Sequence, residues 1–261
     1  MSWLQLYLYP ILTTILFWTM FTVVLLVLNR SGKTVSRIAL VGSMLTVFAL
    51  AHYQLWVVRN DLSVGGIYWA FICAMTIWVW HELAFFSGVI TGPWRKACPP
   101  NVHGWKRFGY ALGTHLYHGI AVLVEIFILW WLQREATNWF GLLTFVLCWL
   151  LLLSAKINVF LGVPNLQVTW FPEHLRYLAT FWKQKSYNLF FVFSVIVTTI
   201  LAIVLWIQAN RLAPADTAIG VSFLAGLATL GVLEHWMLII PAPGSRQQAT
   251  GSGQEAAPPG A

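Results

Sequence analysis

Histidine and glutamate recur where the chain is otherwise apolar. Trp80-His81-Glu82 closes one apolar run, and Thr114-His115-Leu116-Tyr117-His118 lies early in the next. A charged side chain near the bilayer centre costs roughly 2.5 to 3.5 kcal/mol on insertion scales, so such groups are expected to face one another inside a helical bundle. His115 and His118 stand three apart and share a helix face, which suits two ligands of one cation. Imidazole and carboxylate are fitting donors for zinc, iron or manganese, with nearby acids to orient the rings. His81, Glu82, His115, His118 and His235 are thus the metal-ligating candidates. The strict Glu and Glu-x-x-His pattern of di-iron bundles is absent. Two other uses stay open: hydrogen bonds across helices, or an axial ligand to a bacteriochlorophyll-type pigment or haem.

The elements that must position these groups are membrane spans. The 261 residues are 59% hydrophobic and 9% charged, with 16 Trp and a mean hydropathy of +0.73, far from the profile of a soluble domain. The expected fold is all-α, a polytopic bundle of about seven transmembrane helices at residues 6–28, 37–58, 64–90, 108–132, 139–161, 189–208 and 217–240. The first run lacks a basic leader and a cleavage site, so it reads as a retained helix. Residues 1–240 form one transmembrane domain, and residues 241–261, rich in Pro, Gly, Ser, Ala and Gln, read as a disordered cytoplasmic tail.

Lys and Arg cluster after the odd-numbered spans: Arg30, Lys33 and Arg37; Arg95, Lys96, Lys106 and Arg107; Arg176, Lys183 and Lys185; Arg246. The alternate loops pair Arg59 with Asp61, Arg134 with Glu135 and Arg211 with Asp216. The positive-inside rule therefore places the amino terminus outside and the carboxyl terminus in the cytoplasm. The net charge of +7 marks that side and not a nucleic-acid partner. Between spans five and six, Pro172 and the mixed aromatic and basic residues up to Lys185 read as an amphipathic helix on the inner surface, a lid for the bundle.

At about 1.5 Å per residue, His81 and Glu82 fall level with His115 and His118, in the inner half of the membrane. Lys156, Asn158, Glu234 and His235 end their spans on the same side. Glu234 reads as a partner for Lys156, or Lys156 snorkels to the interface. Glu125, seven residues past His118, begins a proton path or makes an interhelical hydrogen bond. His52 and His103 read as ordinary interfacial histidines. Cys73, Cys98 and Cys148 are scattered without disulfide or thiolate-metal spacing. No helix shows a clear small-xxx-small face, and no repeated halves point to an inverted-repeat transporter.

Several strings go further. Trp80-His81-Glu82 with Thr91-Gly92-Pro93 and Cys98-Pro99, Gly104-Trp105-Lys106-Arg107-Phe108, Leu153-Ser154-Ala155-Lys156-Ile157-Asn158, Pro172-Glu173-His174-Leu175-Arg176 and Leu233-Glu234-His235-Trp236 follow in this order. Together they resemble the photosynthetic complex assembly protein 2 family (PuhE type) of phototrophic bacteria. The resemblance covers roughly residues 64–243; the first two spans match only in being apolar. It implies a multi-pass protein of the bacterial cytoplasmic or intracytoplasmic membrane, encoded with photosynthesis genes. It further implies work in reaction-centre and light-harvesting assembly or bacteriochlorophyll supply, beside those subunits and pigment-synthesis enzymes. The family transfers no catalytic residues. It marks Lys156, Asn158, Glu173, His174, Arg176 and Glu234 as cofactor-binding candidates beside the His/Glu set. Two rival readings remain: a metal-dependent oxidase or hydroxylase acting on a tetrapyrrole or isoprenoid precursor, and a proton-coupled carrier.

Overall fold

A computed structural model of the chain describes residues 3–31, 34–165, 171–186, 188–211 and 215–240. The tail expected to be disordered, Lys33 and Arg246 lie outside these residues. Among them stand seven helices long and apolar enough to cross a membrane. They are α1 (Tyr9–Ser31), entered through a π turn at Leu4–Leu8, α2 (Thr34–Val57), α3 (Val64–Phe86), α4 (Gly104–Gln133), α5 (Phe140–Leu161), α6 (Leu189–Arg211) and α7 (Ala215–Met237). Lipid offers no partner to a bare backbone, so each apolar run closes its own hydrogen-bond ladder.

Local chemistry sets the ends of α3. The Ser63 hydroxyl accepts the Gly66 N–H at 3.2 Å and caps its start. Gly88, at φ +80°, ends it four residues before the expected residue 90. A side chain at 88 would also run into the His174 ring, whose Cδ2 lies 2.8 Å from an added Cβ.

The centre of the bundle is α3 and α7, with 67% and 61% of their spans buried against 11% to 33% for the others. A helix buried on all sides needs small residues to let its neighbours close. Ala218, Ser222 and Gly226 supply that stripe on α7, a small-xxx-small face that the sequence reading missed. Gly220 abuts the Phe140 ring and Gly231 the Leu151 side chain, both on α5.

Where the loops after α2 and α4 meet, Asn138 acts as a fastener. Its side-chain amide donates to Asp61 O at 2.8 Å and Val58 O at 3.3 Å, and its N–H to Arg59 O at 2.9 Å. At the other end Arg37 of α2, the loop after α3 and the segment after α5 meet. There the expected surface helix is a 3-10 helix, Glu173–Phe181. Three residues per turn put Leu175, Leu178 and Phe181 on one line, and all three are buried. The segment packs on Phe85 and Phe86 at the end of α3. The Cys98 N–H donates to Thr180 Oγ1 at 2.8 Å, and buried Arg107 donates to Phe181 O, so the loop after α3 and the start of α4 both hold it.

The loop after α3 enters the bundle. Thr91 O accepts the His118 N–H at 2.9 Å, and the Trp94 N–H donates to Gly113 O at 3.2 Å. Irregular backbone is stable at such a position only when another element satisfies it. Here α4 does so, at the turn that carries His115 and His118.

Candidate functional site

Four helices bring their ionisable groups together along α4. Glu125 of α4, 3% exposed, is hydrogen-bonded to two imidazoles: His52 Nε2 of α2 at 2.6 Å and His81 Nε2 of α3 at 3.2 Å. His52 Nδ1 must carry a hydrogen, because it donates to Phe48 O at 2.8 Å. Its Nε2 therefore shares one further proton with Glu125, either as an imidazolium on a carboxylate or as a neutral ring on a carboxylic acid.

The His81 ring lies 6.5 Å, centre to centre, from that of His118, whose Nε2 is 3.3 Å from Glu82 Oε1. Glu82 in turn faces the charge of Lys156 on α5, whose ammonium stands 4.9 Å above the Phe85 ring. The result is a series His52, Glu125, His81, His118, Glu82, Lys156, buried in its four middle members and half-buried at its two ends. His81 Nδ1 and His118 Nδ1 have no hydrogen-bond partner in it.

The series runs beyond the level at which His81, Glu82, His115 and His118 are expected to meet. From His118 to Glu125 it climbs seven residues of α4, about 10 Å. His52 belongs to it, although its type and place gave no reason to separate it from an interfacial histidine; only the α2/α4 contact does.

The remaining metal candidates sit differently. His115 lies flat on Phe85 at 5.0 Å with Nδ1 turned to Thr114 Oγ1 and Ala111 O. His235 donates from Nδ1 to Gly231 O at 2.6 Å, so its Nε2 accepts the Ser154 hydroxyl at 2.8 Å, and both nitrogens are engaged. His81, Glu82, His115, His118 and His235 therefore do not converge on one ion. Among the described residues no three His, Cys, Asp or Glu side chains are grouped to hold one.

The cofactor-binding candidates also divide. The expected Lys156–Glu234 pair does not form: Glu234 accepts from Trp18 Nε1 of α1 at 2.7 Å, and Lys156 belongs with Glu82. An indole donor satisfies a carboxylate without adding charge, which leaves Lys156 to the other acid. Asn158 ties α5 to α6 by donating to Ser194 Oγ at 3.0 Å. Glu173 and Arg176 are exposed on the 3-10 helix.

His174, on that helix, is clamped. Its Nε2–H donates to Phe86 O at 3.0 Å and its Nδ1 accepts from Arg37 of α2, an arrangement that only a neutral ring can make. Burial and then the Arg37 charge hold its pKa below the ordinary 6.5. The unfolded segment takes up a proton near 6.5 and the docked one resists it, so docking is strongest above that pH and weakens as pH falls from there toward the lowered value. Protease cleavage within residues 171–182 is expected to be faster at about pH 5.5 than at about pH 7.5. The His174→Gln variant should lose most of that difference; equal cleavage of the wild type at both values would refute the clamp.

A family model described as "protein of unknown function (DUF3623)" matches residues 4–247, so the likeness includes α1 and α2 as well as the motif-bearing spans. A Rhodobacter capsulatus protein, described as an uncharacterized 30.4 kDa protein in the puhA 5' region, is 34% identical over 237 residues. That alignment covers 89% of this chain and 86% of the relative. No solved structure matches.

Proposed function

The chain belongs to the DUF3623 family, and from that premise we propose that it is a membrane-embedded assembly factor of the bacterial photosynthetic apparatus. It acts in reaction-centre and light-harvesting assembly or in bacteriochlorophyll supply, and its His/Glu-lined interior handles a lipid-soluble molecule, a pigment or a quinone-like lipid. One observation carries the reading: the 34% identical relative is encoded in the 5' region of puhA. The ordered strings from Trp80 to Trp236, which resemble a family encoded with photosynthesis genes, point the same way. The buried ionisable series supports the interior role, since such groups are retained inside a membrane where they serve a pathway or a bound molecule.

Deleting the gene in its phototrophic host is expected to lower reaction-centre and light-harvesting absorbance per unit of membrane protein, with recovery on re-expression. Unchanged photocomplex levels would sink the proposal.

A proton-coupled carrier is the second reading, favoured by the shared proton of His52 and Glu125 and the series leading from it. Liposomes holding the protein should then acidify under an imposed potential, and the Glu125→Gln variant should not. Identical fluxes would remove the carrier. The oxidase reading is the weakest of the three, because its five proposed ligands do not meet.

A further inference from the structure

A cavity of about 190 Å³ lies between α1 and the α3, α5 and α7 core. Its walls are apolar, with Phe17, Trp18 and Phe21 of α1 across from Trp78 and Phe86 of α3. Two carboxylates interrupt them, Glu82 and Glu234. Glu234 holds the Trp18 indole and has acceptor capacity left. Glu82 is 2% exposed, and its Oε1 makes no hydrogen bond although His118 Nε2 is 3.3 Å away. A carboxylate on the wall of an apolar cavity calls for a donor.

Volume and charge narrow what that donor belongs to. A cavity of about 150 Å³ takes up a benzene ring, so this one accommodates a single six-membered ring with a short substituent and not a four-ring macrocycle. Lys156 already stands as the basic partner of Glu82, which disfavours a second cation. A neutral hydroxyl fits. α1, which supplies one wall, has 11% of its span buried, so the molecule reaches the cavity from the lipid phase.

Resting on the reading of an interior that handles a lipid-soluble molecule, we infer that this cavity binds the ring of an alkylated hydroquinone. Its hydroxyls donate to Glu82 and Glu234, its ring lies among Trp18, Trp78 and Phe86, and its tail passes α1 into the lipid. The association is non-covalent and transfers no electrons.

The test uses the full chain in lipid nanodiscs under reducing, oxygen-free conditions, with radiolabelled decylhydroquinone and its dimethyl ether as probes. The hydroquinone is expected to bind saturably at one site. The ether, which keeps the ring and tail but replaces both hydroxyl donors with methoxy groups, should bind about tenfold more weakly or worse. Leu230→Phe, which fills the cavity from a half-buried position on α7, should abolish saturable binding while helicity is kept. Glu234→Gln should weaken binding of the hydroquinone more than of the ether. Equal affinity for the two probes, partition without saturation, or full binding by Leu230→Phe would each overturn the assignment. Saturable binding alongside normal photocomplexes in the deletion strain would keep the site and remove the assembly reading. Lost photocomplexes without saturable binding would do the reverse.

Discussion

Alanine at position 92 is expected to unseat α4 from the loop that follows α3. An added Cβ lies 2.0 Å from Gly113 O, 2.7 Å from the Thr114 carbonyl carbon and 2.9 Å from Leu116 N. All three atoms are backbone, so no rotamer change relieves the contact. The approach is this close because Thr91 O takes the His118 N–H and the Trp94 N–H takes Gly113 O on either side of Gly92. Moving the loop away breaks both bonds and leaves polar backbone inside the bundle, a cost on the order of 4 kcal/mol, at the severe end for one substitution. Gly119→Ala on the same helix is the control, since an added Cβ there meets nothing within 4 Å. It should be neutral or stabilising by about 0.5 kcal/mol, as alanine is in a helix interior. Unfolding midpoints in mixed micelles separate the two; if they coincide, the loop does not enter α4.

Removing the Glu125 carboxylate is the second large effect. Glu125→Ala leaves His52 Nε2 and His81 Nε2 without their hydrogen-bond partner in a region where water is scarce. Breaking a buried pair from one side costs about 3 kcal/mol in soluble proteins, and helix contacts in membranes run lower, so about 2 kcal/mol is expected. Glu125→Gln keeps an acceptor oxygen and should cost about 1 kcal/mol. The order wild type, Gln, Ala in unfolding midpoint is the signature. An alanine variant as stable as the wild type would show that the His52, Glu125 and His81 contacts contribute nothing to the fold.

The seven spans are legible because hydropathy is a local property: each run of apolar residues must become a helix whatever lies beside it. Ends are less so. The expected residue 90 gives way to Phe86 because Gly88 turns left-handed under His174, a contact from 86 positions along the chain. The inner-surface segment reads as amphipathic from its composition, yet its apolar line is spaced by three and not by three and four. That difference makes it a 3-10 helix docked on Phe85.

The candidate site divides the same way. That His81, Glu82 and His118 stay inside the bundle follows from the cost of charge in lipid, and the sequence alone determines it, whereas Lys156 could as well have snorkelled to the interface. Which acid each one meets does not follow, because helix rotation and neighbour choice rest on packing between distant segments. The small residues of α7 and the entry of Gly92 into α4 set those rotations. They give Lys156 to Glu82 and Glu234 to Trp18, bring His52 to Glu125, and turn His235 toward Ser154. Burial was written residue by residue, whereas partnership is decided by how closely the helix backbones approach.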